Sequence, residues 1–159
     1  MTKTVIDTNV LISLLNPNDE NNKKAEELLG KLNQQGGLFI DQIVYTELAA
    51  YLNSKEKLDN FIEKTGIKLE KINRQASYLA AQKYSNYLED KDEEFQCPKC
   101  GNKNRIECSG CGNNLNRRQH VSPDFMVGSH AEEQADQLAT FDSGFHREYF
   151  AELKIVPEK

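Results

Sequence analysis

The chain has 159 residues, of which 38% are hydrophobic and 28% are charged, with four cysteines and a formal net charge of −5. This length fits one domain, and the recurring apolar stripes exclude a disordered chain. Because no apolar run approaches the ~20 residues of a bilayer span and no signal-peptide pattern opens the chain, we expect a cytoplasmic protein with no membrane partner.

Hydrophobic periodicity predicts strands that alternate with helices. In chain order, the predicted elements are a strand at 4–6, helices at 10–15 and 23–32, a turn at 35–37, a strand at 38–40, helices at 43–52 and 58–64, an edge strand at 67–72, helices at 76–88 and 125–135, a strand at 138–141, a helix at 144–150 and a strand at 153–156. This order is typical of an α/β fold with a doubly wound, mainly parallel sheet flanked by helices. Residues 95–118 interrupt the alternation, and we interpret them as an insertion within a single domain spanning 1–159.

The four cysteines form two closely spaced pairs within this insertion. Cys97 and Cys100 make one CxxC pair, Cys108 and Cys111 make the second, and a glycine follows each pair. This spacing is typical of a zinc knuckle, in which a tight turn brings both thiolates to one ion and the glycine adopts a positive φ. Four thiolates would complete a structural Zn²⁺ site with no open position. Redox-active or disulfide-bonded cysteines and an iron–sulfur cluster are the alternatives.

Basic residues are concentrated around the cysteines. Residues 95–120 contain five basic residues and one acidic residue, so their net charge is +4, whereas the other 133 residues carry −9. The five basic residues are Lys99, Lys103, Arg105, Arg117 and Arg118. We predict that they contact RNA phosphates, although the insertion could instead only close a loop or form a dimer contact.

Four acidic residues lie at or near the predicted junctions between strands and helices. Asp7 and Asp142 each follow a strand and precede a helix, at the edge where open α/β sheets bind ligands. Asp124 begins another predicted helix, and Glu47 points along the apolar face of its own helix. Singly, each has a structural explanation, a helix cap for the aspartates and an exposed rim for Glu47. Together they predict a hard-cation site, because clustered carboxylates repel one another unless a divalent ion binds.

The segments that carry these acids resemble the four motifs of PIN-domain ribonucleases, and VapC-type toxins most of all. The four segments are VIDTNVLI at 5–12, TEL at 46–48, PDFMVGSHA at 123–131 and LATFDSGF at 138–145. The resemblance covers the chain outside the cysteine segment, which compact members of the family lack. It implies a PIN-like fold and an endoribonuclease that hydrolyses RNA with Mg²⁺ or Mn²⁺.

The resemblance also implies roles for individual residues. Asp7, Glu47, Asp124 and Asp142 would be the catalytic and metal-binding quartet. Asn9 and Thr140 would be secondary polar groups near that site. No histidine is needed for this chemistry, and we interpret His130 as a surface or core-edge residue.

The family further implies a cognate antitoxin as partner, and related proteins often form homodimers. The alternative is a non-catalytic or weakly catalytic PIN-like module that uses the zinc insertion to recognise RNA or a protein.

Overall fold

The protein is described by a computed structural model that covers residues 1–90, 95–96, 102–112 and 122–158. The elements, in chain order, are β1 (Thr2–Ile6), α1 (Thr8–Leu15), α2 (Asn22–Gln35), β2 (Gly36–Ile40), α3 (Gln42–Leu52), α4 (Lys55–Thr65), β3 (Lys68–Leu69), α5 (Arg74–Asp90), β4 (Phe95–Gln96), β5 (Lys103–Asn104), α6 (Ser122–Gln134), β6 (Gln137–Ala139), α7 (Ser143–Tyr149) and β7 (Ile155–Val156). Every predicted helix and strand outside the insertion is present, and most differences are confined to element ends.

Five strands form one parallel sheet in the order β3-β2-β1-β6-β7. The central strand β1 ends in Thr4, Val5 and Ile6, which are all buried, because helices cover the sheet. The prediction of an α/β fold with a parallel sheet flanked by helices is therefore confirmed. None of the helices in the described ranges is both long and apolar enough to cross a bilayer.

The carboxyl ends of β1 and β6 lie side by side at the centre of the sheet. Ile6 pairs with Ala139 in the parallel register, and the Asp7 N–H donates to the Ala139 carbonyl oxygen at 2.9 Å. Each of these strands is followed within a few residues by a helix, α1 after β1 and α7 after β6. The polar residues just beyond the two strands are consequently brought together at one edge of the sheet.

The predicted turn at 35–37 is wrong, because α2 continues to Gln35 and β2 begins at once with Gly36. Gly36 pairs with Thr2 of β1. A Cβ atom at Gly36 would lie 1.8 Å from the Thr2 carbonyl oxygen, so the close approach of the two backbones requires a glycine. The predicted edge strand at 67–72 exists, but only Lys68–Leu69 pairs with β2.

The interpretation of His130 as a surface or core-edge residue is also wrong. Helix α6 buries almost every residue between Phe125 and Ala131, and His130 is fully buried with two carboxylate neighbours. Its Nε2 lies 3.0 Å from Glu70 Oε2, and its Nδ1 lies 3.3 Å from Asp41 Oδ2. Lys3 Nζ contacts the other oxygen of Glu70 at 2.6 Å, so a chain of polar side chains links β1 to α6.

The insertion contains a small antiparallel sheet of its own, in which Phe95 and Gln96 of β4 pair with Asn104 and Lys103 of β5. Arg105 follows β5 and is exposed. Several residues that the sequence assigned to zinc or RNA lie outside the described residues, namely Cys97, Lys99, Cys100, Arg117 and Arg118.

Candidate active site

Asp7 is held by three hydrogen bonds at the junction of β1 and α1. Its Oδ1 accepts the Thr8 N–H at 2.7 Å, which makes Asp7 the N-cap of α1. Its Oδ2 accepts from the Asn9 side-chain amide at 2.8 Å and from the Thr140 hydroxyl at 2.7 Å. Asp7 is therefore both a helix cap and a fixed carboxylate at the edge of the sheet.

Asn9 and Thr140 connect this carboxylate to the end of β6. The Asn9 amide nitrogen also lies 3.0 Å from Thr140 Oγ1, and its amide oxygen accepts the Phe141 N–H at 3.0 Å. Thr140 Oγ1 accepts the Asp142 N–H at 3.0 Å while its hydroxyl donates to Asp7. The two residues predicted as secondary polar groups thus lie directly against Asp7 and fix the turn that carries Asp142.

Glu47 lies on α3, where its carboxylate accepts a hydrogen bond from the Thr8 hydroxyl. The residue is exposed, and α3 buries only Val44 and Leu48. The expectation that Glu47 points along the apolar face of α3 was wrong, because Glu47 itself is exposed, as is Tyr51 of that predicted face. Glu47 instead occupies the rim position that the sequence left open as the alternative.

Asp124 and Asp142 lie at the starts of two helices, α6 and α7. Asp124 lies within the first turn of α6 and is partly buried. Asp142 is the N-cap residue of α7, but its side chain makes no capping hydrogen bond, and the residue is exposed.

All four acids line one cleft of about 250 Å³ beside the carboxyl ends of β1 and β6. Thr8, Asn9 and His146 line the same cleft. The acids come from four distant segments of the chain, so the fold brings together residues that the sequence could associate only by pattern.

The electrostatics of the cleft disfavour a full set of bare carboxylates. Burial raises the pKa of Asp7 and the charge of Asp142 adds to this, which outweighs the opposing effects of Thr140, His146 and the Thr8 N–H.

The pKa of Glu47, the acid on α3, is raised as well. Burial and the charges of Asp7, Asp124 and Asp41 raise the pKa of Glu47 despite the Thr8 hydrogen bond. A cation in the cleft would offset this repulsion.

The donor set fits a hard cation by type, because Mg²⁺ and Mn²⁺ prefer carboxylate oxygens. The acids surround the cleft but do not converge on a point. Within the described ranges, no group of three side chains that could ligate a metal (histidine, cysteine, aspartate or glutamate) is close enough together to hold an ion.

Two functional candidates were missed by sequence reasoning. His146 is 4% exposed, lines the cleft, and follows Asp142 by four residues on α7, a spacing that would have indicated a shared helix face. Asp41 is fully buried as the N-cap of α3, where it accepts the N–H groups of Ile43 and Val44. Asp41 directly follows a strand, as Asp7 does, and this position could have identified it as a candidate.

Cys108 and Cys111, with Gly112 after them, are the part of the cysteine motif that lies within the described residues. Backbone N–H groups of Gly110 and Cys111 and the Cys111 side chain lower the pKa of Cys108, and the two cysteines are not bonded to each other. Gly112 has φ +71°, as predicted for the residue after the second ligand.

Comparison with known proteins identifies the family of this fold. The sequence matches the PIN-domain family model over residues 4–151. Similar solved structures include VapBC2 from Rickettsia felis bound to a DNA fragment from its promoter (19% identity, 96% of both chains covered, TM-score 0.58) and VapBC-1 from nontypeable Haemophilus influenzae (17%, 96% of both, 0.60). Another is VapC20 from Mycobacterium tuberculosis, described as a toxin that cleaves the sarcin–ricin loop (15%, 95% of this chain and 98% of that one, 0.58). A search of curated protein sequences gave no match.

Proposed function

Because the chain belongs to the PIN-domain family, we propose that it is an endoribonuclease that hydrolyses RNA with Mg²⁺ or Mn²⁺ and a quartet of carboxylates. The quartet consists of Asp7, Glu47, Asp124 and Asp142. The observation that carries the proposal is that these four acids, which lie far apart in the sequence, line one cleft.

The residues around the quartet hold its carboxylates in place. Asn9 and Thr140 fix both the orientation of Asp7 and the path of the backbone into Asp142. Thr8 restrains Glu47 through its hydroxyl and Asp7 through its N–H. A bound divalent cation would supply the Lewis acidity that phosphodiester hydrolysis requires. The task of the protein is then to hold that cation against the RNA in a fixed position.

The structural neighbours favour a toxin of a toxin–antitoxin pair as the biological role. The Rickettsia and Haemophilus neighbours are VapBC structures, and VapC20 is described as an RNA-loop-cleaving toxin. We therefore expect an RNA substrate, a cognate antitoxin protein and a cytoplasmic location, and a homodimer is compatible with this role.

We further propose that residues 95–118 form a structural zinc insertion within a single domain, with Cys97, Cys100, Cys108 and Cys111 as ligands. The N–H groups directed at Cys108 and the positive φ of Gly112 support a thiolate site. The basic residues of the insertion would then contact RNA phosphates. Metal analysis of the purified chain should give one zinc, which Cys108→Ser removes and Asp7→Asn retains.

One observation favours a second candidate, a PIN-like module that binds RNA or a protein without efficient cleavage. Within the described ranges, no three acidic, histidine or cysteine side chains yet converge as a metal site would. This candidate predicts RNA binding without metal-dependent cleavage, so the assay below separates the two.

The test is cleavage of a structured RNA in the presence of Mg²⁺ or Mn²⁺, with and without EDTA. We expect cleavage to stop with EDTA and in the Asp7→Asn variant. The matched control is Asp59→Asn, because Asp59 pairs with Lys55 on the exposed side of α4. Cleavage that survives EDTA or Asp7→Asn would reject the proposal, and binding without any cleavage would support the second candidate.

A further inference from the structure

His146 is a buried histidine at the edge of the acidic cleft, and no step above uses it. It is 4% exposed and packs against Phe145 and Phe150, with ring centroids 4.9 Å and 5.8 Å away. It nevertheless lines the same cleft as the four acids. The imidazole also lies close enough to Asp7 to influence the pKa of that carboxyl.

The hydrogen bond of the ring assigns its tautomer. Nδ1 lies 3.1 Å from the Asp142 carbonyl oxygen, which can only accept, so Nδ1 carries a proton and donates it. In the neutral ring, Nε2 then carries a lone pair. Nε2 is buried and has no hydrogen-bond partner among the described residues.

A buried acceptor without a partner destabilises the folded protein, so each such atom calls for an explanation. Histidines that ligate metals typically donate their other ring N–H to a carbonyl or carboxylate, which fixes the ring and leaves the second nitrogen directed at the metal. His146 has the first part of this arrangement, because Nδ1 is anchored to the backbone of Asp142, a member of the quartet, while Nε2 has no partner among the described residues.

We propose that Nε2 of His146 is a nitrogen ligand of the cation held by the acidic quartet, so that the cleft binds Mn²⁺ in preference to Mg²⁺. The preference follows because Mg²⁺ is held by oxygen ligands, whereas a site with an imidazole nitrogen favours first-row transition metals. This inference rests on the proposed metal site, and the experiment must distinguish a failure of His146 from a failure of the site.

The experiment is pulsed electron paramagnetic resonance of Mn²⁺ bound to the full chain, together with titration of Mn²⁺ and Mg²⁺. Nitrogen bound directly to Mn²⁺ produces a characteristic ¹⁴N modulation that carboxylate ligands do not. We expect this modulation in the native protein and its loss in His146→Gln, with Mn²⁺ still bound. The Mn²⁺ affinity should fall about tenfold or more in that variant, and the Mg²⁺ affinity much less.

Two variants serve as controls. His120→Gln should keep the modulation, because the proposal assigns the nitrogen ligand to His146 alone. His146→Asn has a shorter side chain, which leaves more room beside Phe150, and it replaces His146→Gln if that variant misfolds. Thermal unfolding shows whether each variant is folded. Suppose that the native protein binds Mn²⁺ and that Glu47→Gln weakens this binding, but that the bound Mn²⁺ shows no ¹⁴N modulation. This result would overturn the role of His146 and leave the quartet site standing. Absence of Mn²⁺ binding to the native protein would overturn the quartet site and this inference together.

Discussion

The Thr140 hydroxyl donates a hydrogen bond of 2.7 Å to the Asp7 carboxylate, although 133 residues separate the two in the sequence. The bond joins the ends of the two central strands, β1 and β6. Thr140 is buried and also accepts hydrogen bonds from Asn9 and from the Asp142 backbone. One hydroxyl therefore positions two of the four acids of the proposed active site.

Replacing Thr140 by valine should weaken both the fold and the metal site. The change removes the side-chain acceptor of the Asp142 N–H, one of the two acceptors of the Asn9 amide and a donor to Asp7, so the free energy of unfolding should decrease by about 1–3 kcal/mol. The pKa of Asp7 should rise further, because the Thr140 hydrogen bond opposes the effect of burial. Urea denaturation and Mn²⁺ titration measure these effects.

The control for this change is Thr46→Val. Thr46 is exposed on α3 and donates a hydrogen bond within its own helix, to the Gln42 carbonyl oxygen. Its replacement should change the free energy of unfolding by no more than about 0.5 kcal/mol. Equal effects of the two substitutions would contradict the positioning role of Thr140.

The stability of the metal-free protein should depend on pH through Asp7 and Glu47. Burial and neighbouring acids raise their pKa values above the ordinary 3.8 and 4.5. The folded protein then holds these protons more tightly than the unfolded chain does. Their contribution to the free energy of unfolding is complete below the ordinary pKa values and is lost as pH rises through the raised ones.

A cation that offsets the repulsion should reverse this loss. Mg²⁺ should therefore raise the Tm more at high pH than at low pH, with the change occurring as pH passes through the raised pKa values. In Asp7→Asn, the effect of Mg²⁺ on Tm should depend less on pH. Thermal unfolding at a series of pH values, with and without Mg²⁺, measures both. A Mg²⁺ effect on Tm that is independent of pH would argue against the quartet as its origin.

Removing His130 should destabilise the protein strongly. The ring is fully buried between Asp41 and Glu70, so His130→Ala leaves a cavity and a fully buried Asp41 without its partner. Truncating a large buried side chain to alanine costs about 3–5 kcal/mol. Glu70→Gln should cost less, because the Glu70 side chain is 27% exposed. A His130→Ala variant as stable as the native protein in urea would show that this buried ring and its contacts do not stabilise the core.

Two glycines of the same region should respond to alanine in opposite directions. At Gly36 the added Cβ would meet the Thr2 carbonyl oxygen of β1, so the substitution should destabilise the protein by about 1–3 kcal/mol. At Gly30, an exposed position of α2, nothing lies within 4 Å, and alanine should stabilise by about 0.5–1 kcal/mol. Urea denaturation of both variants checks the prediction, and a tolerated Gly36→Ala would contradict the close pairing of β1 and β2.

The sequence predicted the sheet well because its strands are short, apolar and bounded by polar residues. The strand ending at Ile6 and the strand starting near Leu138 were recognised from such runs, and both proved central. The candidate site followed from the same logic, since an acid directly after a parallel strand must lie at the binding edge of the sheet.

What the sequence could not predict depends on contacts between distant segments. At Gly36, where α2 meets β2 directly, the backbone lies close to Thr2 of β1. The sequence around Gly36 alone does not indicate this contact. The burial of His130 follows because α6 is covered on most sides, so its polar residues lie in the core. The position of His146 in the cleft depends on the way α7 packs after Asp142.

The most direct test of the acidic cleft is RNA cleavage by four single variants, Asp7→Asn, Glu47→Gln, Asp124→Asn and Asp142→Asn, assayed with saturating Mn²⁺ beside Asp59→Asn. Each amide keeps the shape of the side chain and removes one negative charge from the cleft. We predict that all four variants lose at least about 100-fold in cleavage rate, the scale on which lost active-site groups act, while Asp59→Asn cleaves like the native protein. Native-like cleavage by any of the four would contradict the quartet.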